Sequence, residues 1–415
     1  MKPDSKSNDR IRELDVLRGF ALFGILLVNA ELMAGPDVVF GGGGGGSGGG
    51  FGASPLDHLI AWSVTALVTA KFYPLFAFLF GYGFVWQMRA AWRAGVPFAL
   101  RHLRRTGGLF GIGVLHAVLL YPGDILTTYA ALALPLYALR GISPRVALRI
   151  AAGLVVGLSV LLFGYGLLVA VGTGTPTASP DDPLAAALRG DALSVLRAHL
   201  RALSAALGAN VLYSPEIFAM FLTGLAAARL RILERYGRDA VWLRRTALWC
   251  LPVGLAGGVV TAICANGPLD ARWFLVGHAV GVLTGPALTA SYACGVLLFV
   301  RGRTVGLLAA AGRLALTHYL TQSLVLAWVF TGYGLGLYGR VGAASIVAGC
   351  VVLYGCQLAV SQPLLTRTPL GPAELLLRTL TLAHRPTRQP APCPATVTAM
   401  AAAPRPAADD GPPAP

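Results

Sequence analysis

The feature that most constrains this chain is a repeated one. Apolar runs recur from Leu14 to about residue 362, each near the length of about twenty residues that a helix needs to cross hydrocarbon. Of the 415 residues, 55% are hydrophobic and only 12% are charged, whereas a soluble domain carries about 25% charged residues. That leaves too few charges to cover the surface of one large soluble globule. The runs are continuous rather than alternating, which excludes a transmembrane β-barrel. The expected fold is therefore all-α, a polytopic transmembrane helix bundle.

About ten spans are expected, near residues 14–34, 70–89, 106–121, 124–140, 146–171, 211–230, 246–265, 273–300, 305–330 and 341–362. The net charge of +15 would suggest nucleic acid in a soluble protein. Here the basic residues lie between the runs, so topology explains them and no nucleic-acid partner is expected. Alternate connections are rich in Lys and Arg: Arg10 and Arg12, then Arg101, Arg104 and Arg105, then Arg244 and Arg245. The intervening ones are poor, and the positive-inside rule puts both termini in the cytoplasm. The first run begins at Leu14 and lacks a small-residue cleavage site, so it reads as a retained anchor.

Residues 1–13 then form a cytoplasmic tail and 14–382 the membrane domain. A Gly-rich extracytoplasmic linker is expected at 36–52, with a longer extracytoplasmic loop at 172–210. Within that loop, 184–207 has the pattern of an amphipathic helix over the outer face. An interfacial C-terminal helix is expected at 371–383, and 384–415 is a Pro/Ala-rich tail with a disordered composition. The stretch 55–89 is read as an outer-face amphipathic segment followed by one crossing. Pro74 then falls in the first helical turn and Lys71 at the interface. The glycine run 41–50 precedes no Lys-Ser/Thr and follows no strand, so it is a linker rather than a phosphate loop. The cysteines form no CxxC pair, and no HExxH occurs. No metal centre is expected.

Charges inside spans are costly and are functional candidates by default. LDVLRGFALFGILLVN (14–29) puts Asp15, Arg18 and Asn29 on one helical face. Arg18 and Asn29 are eleven residues apart, about 16 Å along the axis, and Glu31 points the other way. The plainer account makes Asp15 a cap and Arg18 a snorkelling side chain, which leaves Asn29 unexplained. In LHAVLLYPGDILTTYA (115–130), His116 precedes a Pro-Gly turn and Asp124 opens the next span. His116 has the chemistry of a general base, and Asp124 could orient it, or serve only as an N-cap. Gly107 and Gly111 suggest close helix approach, as do Gly81 and Gly83.

Lys71 lies in the aromatic KFYPLFAFLFGYGF (71–84), a stripe more typical of packing. His58, Lys71 and Glu216 are outer-side candidates for substrate binding, as are Asp57, Tyr213, Asp270 and His278. His318 and Gln322 share a face in GRLALTHYLTQSLV (312–325). They either line a cavity or glue helices together.

These stretches, with GPAELLLRTLT (371–381), resemble in order the signatures of the YeiB-like bacterial integral membrane proteins, over residues about 10 to 382. The resemblance implies a multi-pass protein of the bacterial plasma membrane. More distantly, the opening stretch resembles two types of transmembrane acyltransferase. The acyltransferase-three type has an Arg early in its first span and a His near its end. Arg18 matches, and Asn29 stands where the His would be. The heparan-α-glucosaminide N-acetyltransferase type has Asp-x-x-Arg-Gly, an Asn at the span's end and a later His. Asp15, Arg18, Gly19 and Asn29 match it, with His58 as the possible His.

The resemblance implies an acyltransferase moving an acyl group from a cytoplasmic acyl-CoA to an extracytoplasmic or lipid-linked hydroxyl or amine. His116, Asp124, Asn29 and Asp15 would be catalytic. Arg18, Arg104 and Arg105 would bind the donor's phosphates, because Arg pairs well with phosphate. Acyl-CoA would be a co-substrate, not a tightly bound cofactor, and membrane lipids would be constant partners. The alternatives are a transporter or exporter of a small metabolite or lipid, with the polar stripe lining its path, and a non-catalytic scaffold.

Overall fold

The computed structural model describes residues 5–35, 54–172, 183–237, 239–267, 269, 271–301 and 306–382. The linker at 36–52, the tail at 384–415 and Asp270 lie outside them. The described residues form helices joined by turns and loops, with no strand among them. In chain order the helices are α1 (Ser5–Ala34), α2 (Pro55–Leu67), α3 (Phe72–Arg93), α4 (Phe98–Leu119) and α5 (Leu126–Ala138). Then follow α6 (Pro144–Val171), α7 (Pro183–Leu188), α8 (Ala192–Arg229), α9 (Ile232–Tyr236) and α10 (Ala240–Asn266). The last are α11 (Phe274–Val300), α12 (Gly306–Arg313), α13 (Ala315–Phe330), α14 (Ala343–Arg367) and α15 (Pro372–Leu382).

Seven stretches are long and apolar enough to cross a membrane: Arg12–Ala34, Pro55–Arg93, Pro144–Val171, Ala192–Arg229, Ala240–Asn266, Phe274–Val300 and Ala343–Arg367. The other three expected spans fall on shorter or more polar helices. The first turns of α4 carry Arg101, Arg104 and Arg105, and α5 has only 13 residues. The run 305–330 is broken at Leu314 into α12 and α13. The first N–H groups of α13 would be orphaned there. Glu374 of α15 satisfies them, accepting from Leu316 N at 2.7 Å, Thr317 N at 3.0 Å and Thr317 Oγ1 at 2.5 Å. The C-terminal helix α15 is thereby latched to the bundle, with Leu377 buried.

Two expectations change. The loop 172–210 contains the start of a 38-residue helix, α8, which runs unbroken through Pro215. Asp191 caps it through Ser194 N at 2.9 Å. The amphipathic stretch and the span at 211–230 are thus one rod, because its first half buries Val195, Ala198 and His199 against the bundle instead of lying flat. Lys71 does not snorkel. It is buried in the turn between α2 and α3, where its ammonium donates to Thr65 O at 3.1 Å. Ala70 beside it is held at φ 63°, a left-handed conformation that costs a non-glycine residue about 1–2 kcal/mol. Pro74 does lie in the first turn of α3.

The core gathers around α1, whose Leu17, Ala21, Leu22 and Leu26 are wholly buried against α3, α12 and α13. One close crossing is α3 on α8, where Gly81 sits under Phe221 O and Gly224 under Phe78 O. Phe80 and Phe221 stack beside it at 4.6 Å. Gly107 and Gly111 have no such role: each faces open space. On α4 it is Gly113 that packs tightly, against Thr127 and the Asp124 carboxylate. The flanks of α6, α10 and α14 expose Val160, Leu168, Val253, Val352 and Val360, as expected of faces turned toward lipid.

Candidate functional site

His116 and Asp124 converge. Both side chains are 1% exposed, with Nδ1 of His116 2.9 Å from Oδ1 of Asp124. The contact is off the axis of a good hydrogen bond, and His116 Nε2 is buried with no hydrogen-bond partner among the described residues. Local structure explains the pairing. Pro122 and Gly123 turn the chain between α4 and α5, bringing the start of α5 back beside the last turn of α4. Asp124 Oδ2 accepts from Thr127 N at 2.7 Å, so the same carboxylate also caps α5. Its backbone carbonyl accepts from Asn210 Nδ2 of α8 at 3.0 Å. The Tyr319 ring of α13 lies 4.9 Å from the His116 ring, with its hydroxyl 3.5 Å from Asp124 Oδ1.

This pair sits one layer behind a cavity of about 540 Å³ at the C-terminal end of α1. The α4–α5 turn forms one wall through Leu120, Tyr121, Gly123 and Ile125. Tyr121 separates the pair from the cavity, its ring 6.5 Å from that of His116. Asn29 also lines the cavity, as do Tyr73, Tyr213, His199 and His278. Leu184 and Leu188 of α7 lie at the edge, and Tyr338 of the α13–α14 loop closes beside them. That edge is tied by Arg189 Nε donating to Tyr338 O at 2.7 Å.

Asp15 and Arg18 are elsewhere. They pair at 2.9 Å near the other end of α1, where the missing side chain of Gly83 leaves room for the guanidinium. Arg105 of α4 lies close enough to Arg18 and to Arg101 for their charges to oppose one another, and Arg313 faces Asp15. Guanidinium groups thus outnumber the carboxylate here. Arg104 does not join them; it is exposed. Arg105 and His116 are eleven residues apart on α4, as Arg18 and Asn29 are on α1, so each helix carries an Arg near one end and a polar group about 16 Å further on. Between these levels Leu22, Leu26, Leu79 and Tyr82 pack as solid core.

The remaining candidates divide. Glu216 is fully buried behind the cavity wall, where Tyr73 Oη donates to its Oε2 at 2.5 Å. Lys71 lies in the same region, and Tyr129 Oη donates to Tyr73 O at 3.0 Å. His318 and Gln322 do not line the cavity. His318 Nε2 meets Ser361 Oγ at 2.8 Å, and Gln322 Nε2 donates to Gln357 Oε1 at 2.8 Å, so both fasten α13 to α14. His58 is exposed on α2, away from Asn29's wall. Its neighbour Asp57 completes the capping box of α2, accepting from Ser54 N at 3.0 Å, and also accepts from Ala344 N at 2.9 Å. Tyr73, Tyr121, His199 and Asn210 were not singled out by sequence reasoning. Tyr73 looked like one more aromatic of a packing stripe, and only the neighbouring Glu216 marks it as polar wall.

The family described as "Protein of unknown function (DUF418)" matches over residues 227–384, from the end of α8 through α15. The chain is 31% identical over 397 residues to the uncharacterized protein YxaH of Bacillus subtilis (strain 168), covering 90% of this chain and 95% of that protein. It is 29% identical over 392 residues to the uncharacterized protein YeiB of Escherichia coli (strain K12), covering 89% and 95%. The chain belongs to the DUF418 family of YeiB-like membrane proteins. A third relative, the 39.9 kDa protein in the amylase 3' region of Bacillus acidopullulyticus, is 28% identical over 399 residues. In this YeiB-like protein the His116–Asp124 pair and Asn29 lie before the DUF418 match, whereas His278, His318 and Glu374 lie within it.

Proposed function

We propose that this YeiB-like protein is a multi-pass enzyme of the bacterial plasma membrane that acylates an acceptor held in the cavity. The acyl group would come from an acyl-CoA met on the cytoplasmic side. The observation that carries the reading is the buried His116–Asp124 pair directly behind the cavity wall, with His116 Nε2 unpartnered. Asp124 lies against Nδ1 and leaves Nε2 to take the acceptor's proton. The acceptor oxygen or nitrogen forms a bond to the thioester carbonyl carbon, the C–S bond breaks, and the thiolate leaves with that proton. A positioned base of this kind is worth about 10²–10⁴ in rate. Tyr121 stands between base and cavity, so its side chain swings aside for the reaction.

The excess of guanidinium near Asp15 suits a polyphosphate donor. The Arg-rich ends of the helices face the cytoplasm by the positive-inside rule, with about ten crossings and both termini inside. Core side chains fill the space between the Arg cluster and the cavity. The donor's arm therefore reaches His116 only as the helices part, which couples donor binding to a helix movement.

The test is transfer of labelled acetyl from acetyl-CoA to membrane extract by the purified full-length protein. Transfer is expected, with at least a 100-fold loss in both His116→Ala and Asp124→Asn. Unchanged transfer in both variants would refute the role of the pair, and passage of an unmodified compound across vesicles without acylation would replace the reading with transport.

A further inference from the structure

The cavity at the C-terminal end of α1 says more about its occupant than about its chemistry. None of its described lining residues is Asp, Glu, Lys or Arg. Most of the wall is apolar, and its polar groups are uncharged, among them Asn29, Tyr73, Asn210 and Tyr213, with His199 and His278. Asp124 lies behind the wall and Arg189 at its edge, held on Tyr338 O, and the charges of Lys71 and Glu216 are turned away from the cavity. The Lys71 ammonium is spent on Thr65 O, and the Glu216 carboxylate is screened from the cavity by Tyr73.

We infer that this cavity is a binding site for an uncharged amphiphile, with an apolar body and a neutral, hydroxyl-bearing head. The volume of about 540 Å³ falls within the range of small-molecule and cofactor sites. The head is assigned to the wall formed by α3, α8 and α11. Tyr213 and His278 meet there with ring centroids 5.1 Å apart. His278 Nε2 is buried without a hydrogen-bond partner among the described residues, as is Glu216 Oε1 directly behind Tyr73. Buried polar atoms without partners are uncommon, and a hydroxyl can both donate and accept. A phosphate or carboxylate head would find no opposite charge on the wall. Burying it there unpaired would weaken binding by at least about 100-fold relative to the neutral head. The guanidinium cluster beside Asp15 offers the reverse environment, so the two ends of the molecule sort ligands by charge. As an account of binding this holds without any transfer chemistry; as a statement of which acceptor is acylated, it rests on the reading above.

The experiment uses delipidated full-length protein in mild detergent, with no acyl donor present. Binding of 1-monooleoylglycerol, oleate and oleoyl-lysophosphatidylglycerol is measured by native mass spectrometry and by the ligand-induced rise in unfolding temperature. Monooleoylglycerol is expected to bind saturably and one-to-one, at least about 100-fold more tightly than either anion. Ala202→Trp and Ala206→Trp, each filling the cavity from α8, should abolish that binding. Equal affinity for the three lipids, no saturable binding of any, or binding that survives both tryptophans in folded protein overturns the inference. The wild-type series decides the matter even if a tryptophan variant fails to fold. Selective binding with no acyl transfer would sink only the transferase reading, and transfer without selectivity only this one.

Discussion

The same substitution, Gly to Ala, is expected to have opposite effects at two pairs of positions. At Gly81 an added Cβ would lie 2.1 Å from Phe221 O, and at Gly224 it would lie 2.1 Å from Phe78 O and 2.8 Å from Tyr82 N. Ordinary contact needs about 3.5 Å. The obstruction is backbone, so it cannot be relieved by a rotamer change; α3 and α8 must separate by more than about 1 Å. Forced overpacking of this kind costs about 1–3 kcal/mol. Replacing a mid-helix glycine by alanine returns about 0.5–1 kcal/mol. The net centres on a loss of about 1 kcal/mol for Gly81→Ala or Gly224→Ala, within about 0–2.5 kcal/mol. At Gly107 and Gly111 a Cβ meets nothing within 4 Å, so only the gain of about 0.5–1 kcal/mol remains. Because one separation of α3 from α8 relieves both clashes, the Gly81→Ala/Gly224→Ala double variant should cost less than the sum. Thermal unfolding in detergent can be followed with a thiol-reactive dye, since Cys264, Cys294 and Cys350 are buried and free. Gly81→Ala should unfold below the wild type and Gly107→Ala at or above it. If both shift equally, or Gly81→Ala is neutral, the proposed helix crossing is wrong.

Two further perturbations test other joints. Tyr73→Phe removes the donor to Glu216 Oε2 and leaves a fully buried carboxyl unpaired, at about 1–3 kcal/mol; the unfolding temperature should fall, and an unchanged value would mean that water or another group replaces the hydroxyl. Glu374→Ala strips the acceptor from Leu316 N, Thr317 N and Thr317 Oγ1. A lost cap costs about 0.5–2 kcal/mol, and α15 should exchange its amide hydrogens faster, whereas unchanged exchange would show that Leu377 alone holds it.

Much of the helical framework was legible because lipid imposes it. A crossing segment must satisfy its own backbone, so long apolar runs report helices directly. The run 146–171 became α6 and 273–300 became α11 with shifts of a few residues. Legibility failed where a tertiary partner takes over a backbone group. The run 305–330 reads as one span, yet it breaks at Leu314 because Glu374, about sixty residues on, caps the second piece. Lys71 reads as an interface residue, and a six-residue turn to Thr65 O hides it.

The amino-acid sequence by itself determined the all-α membrane character, the helix faces and the local juxtapositions: Asp15 beside Arg18, and Asp124 folded back across a Pro-Gly turn. These depend on helical periodicity and on short-range turn chemistry, which neighbouring residues specify. The tertiary structure alone decided that Asn29 lines a cavity while Arg18 lies with Arg105 at the other end of α1. It alone decided that His318 and Gln322 join helices, and that Tyr73 and Glu216 meet across 143 residues. A helical face specifies only a direction. What occupies that direction depends on which helices pack around it, and here the bare backbones at Gly81 and Gly224 set how closely α3 and α8 approach.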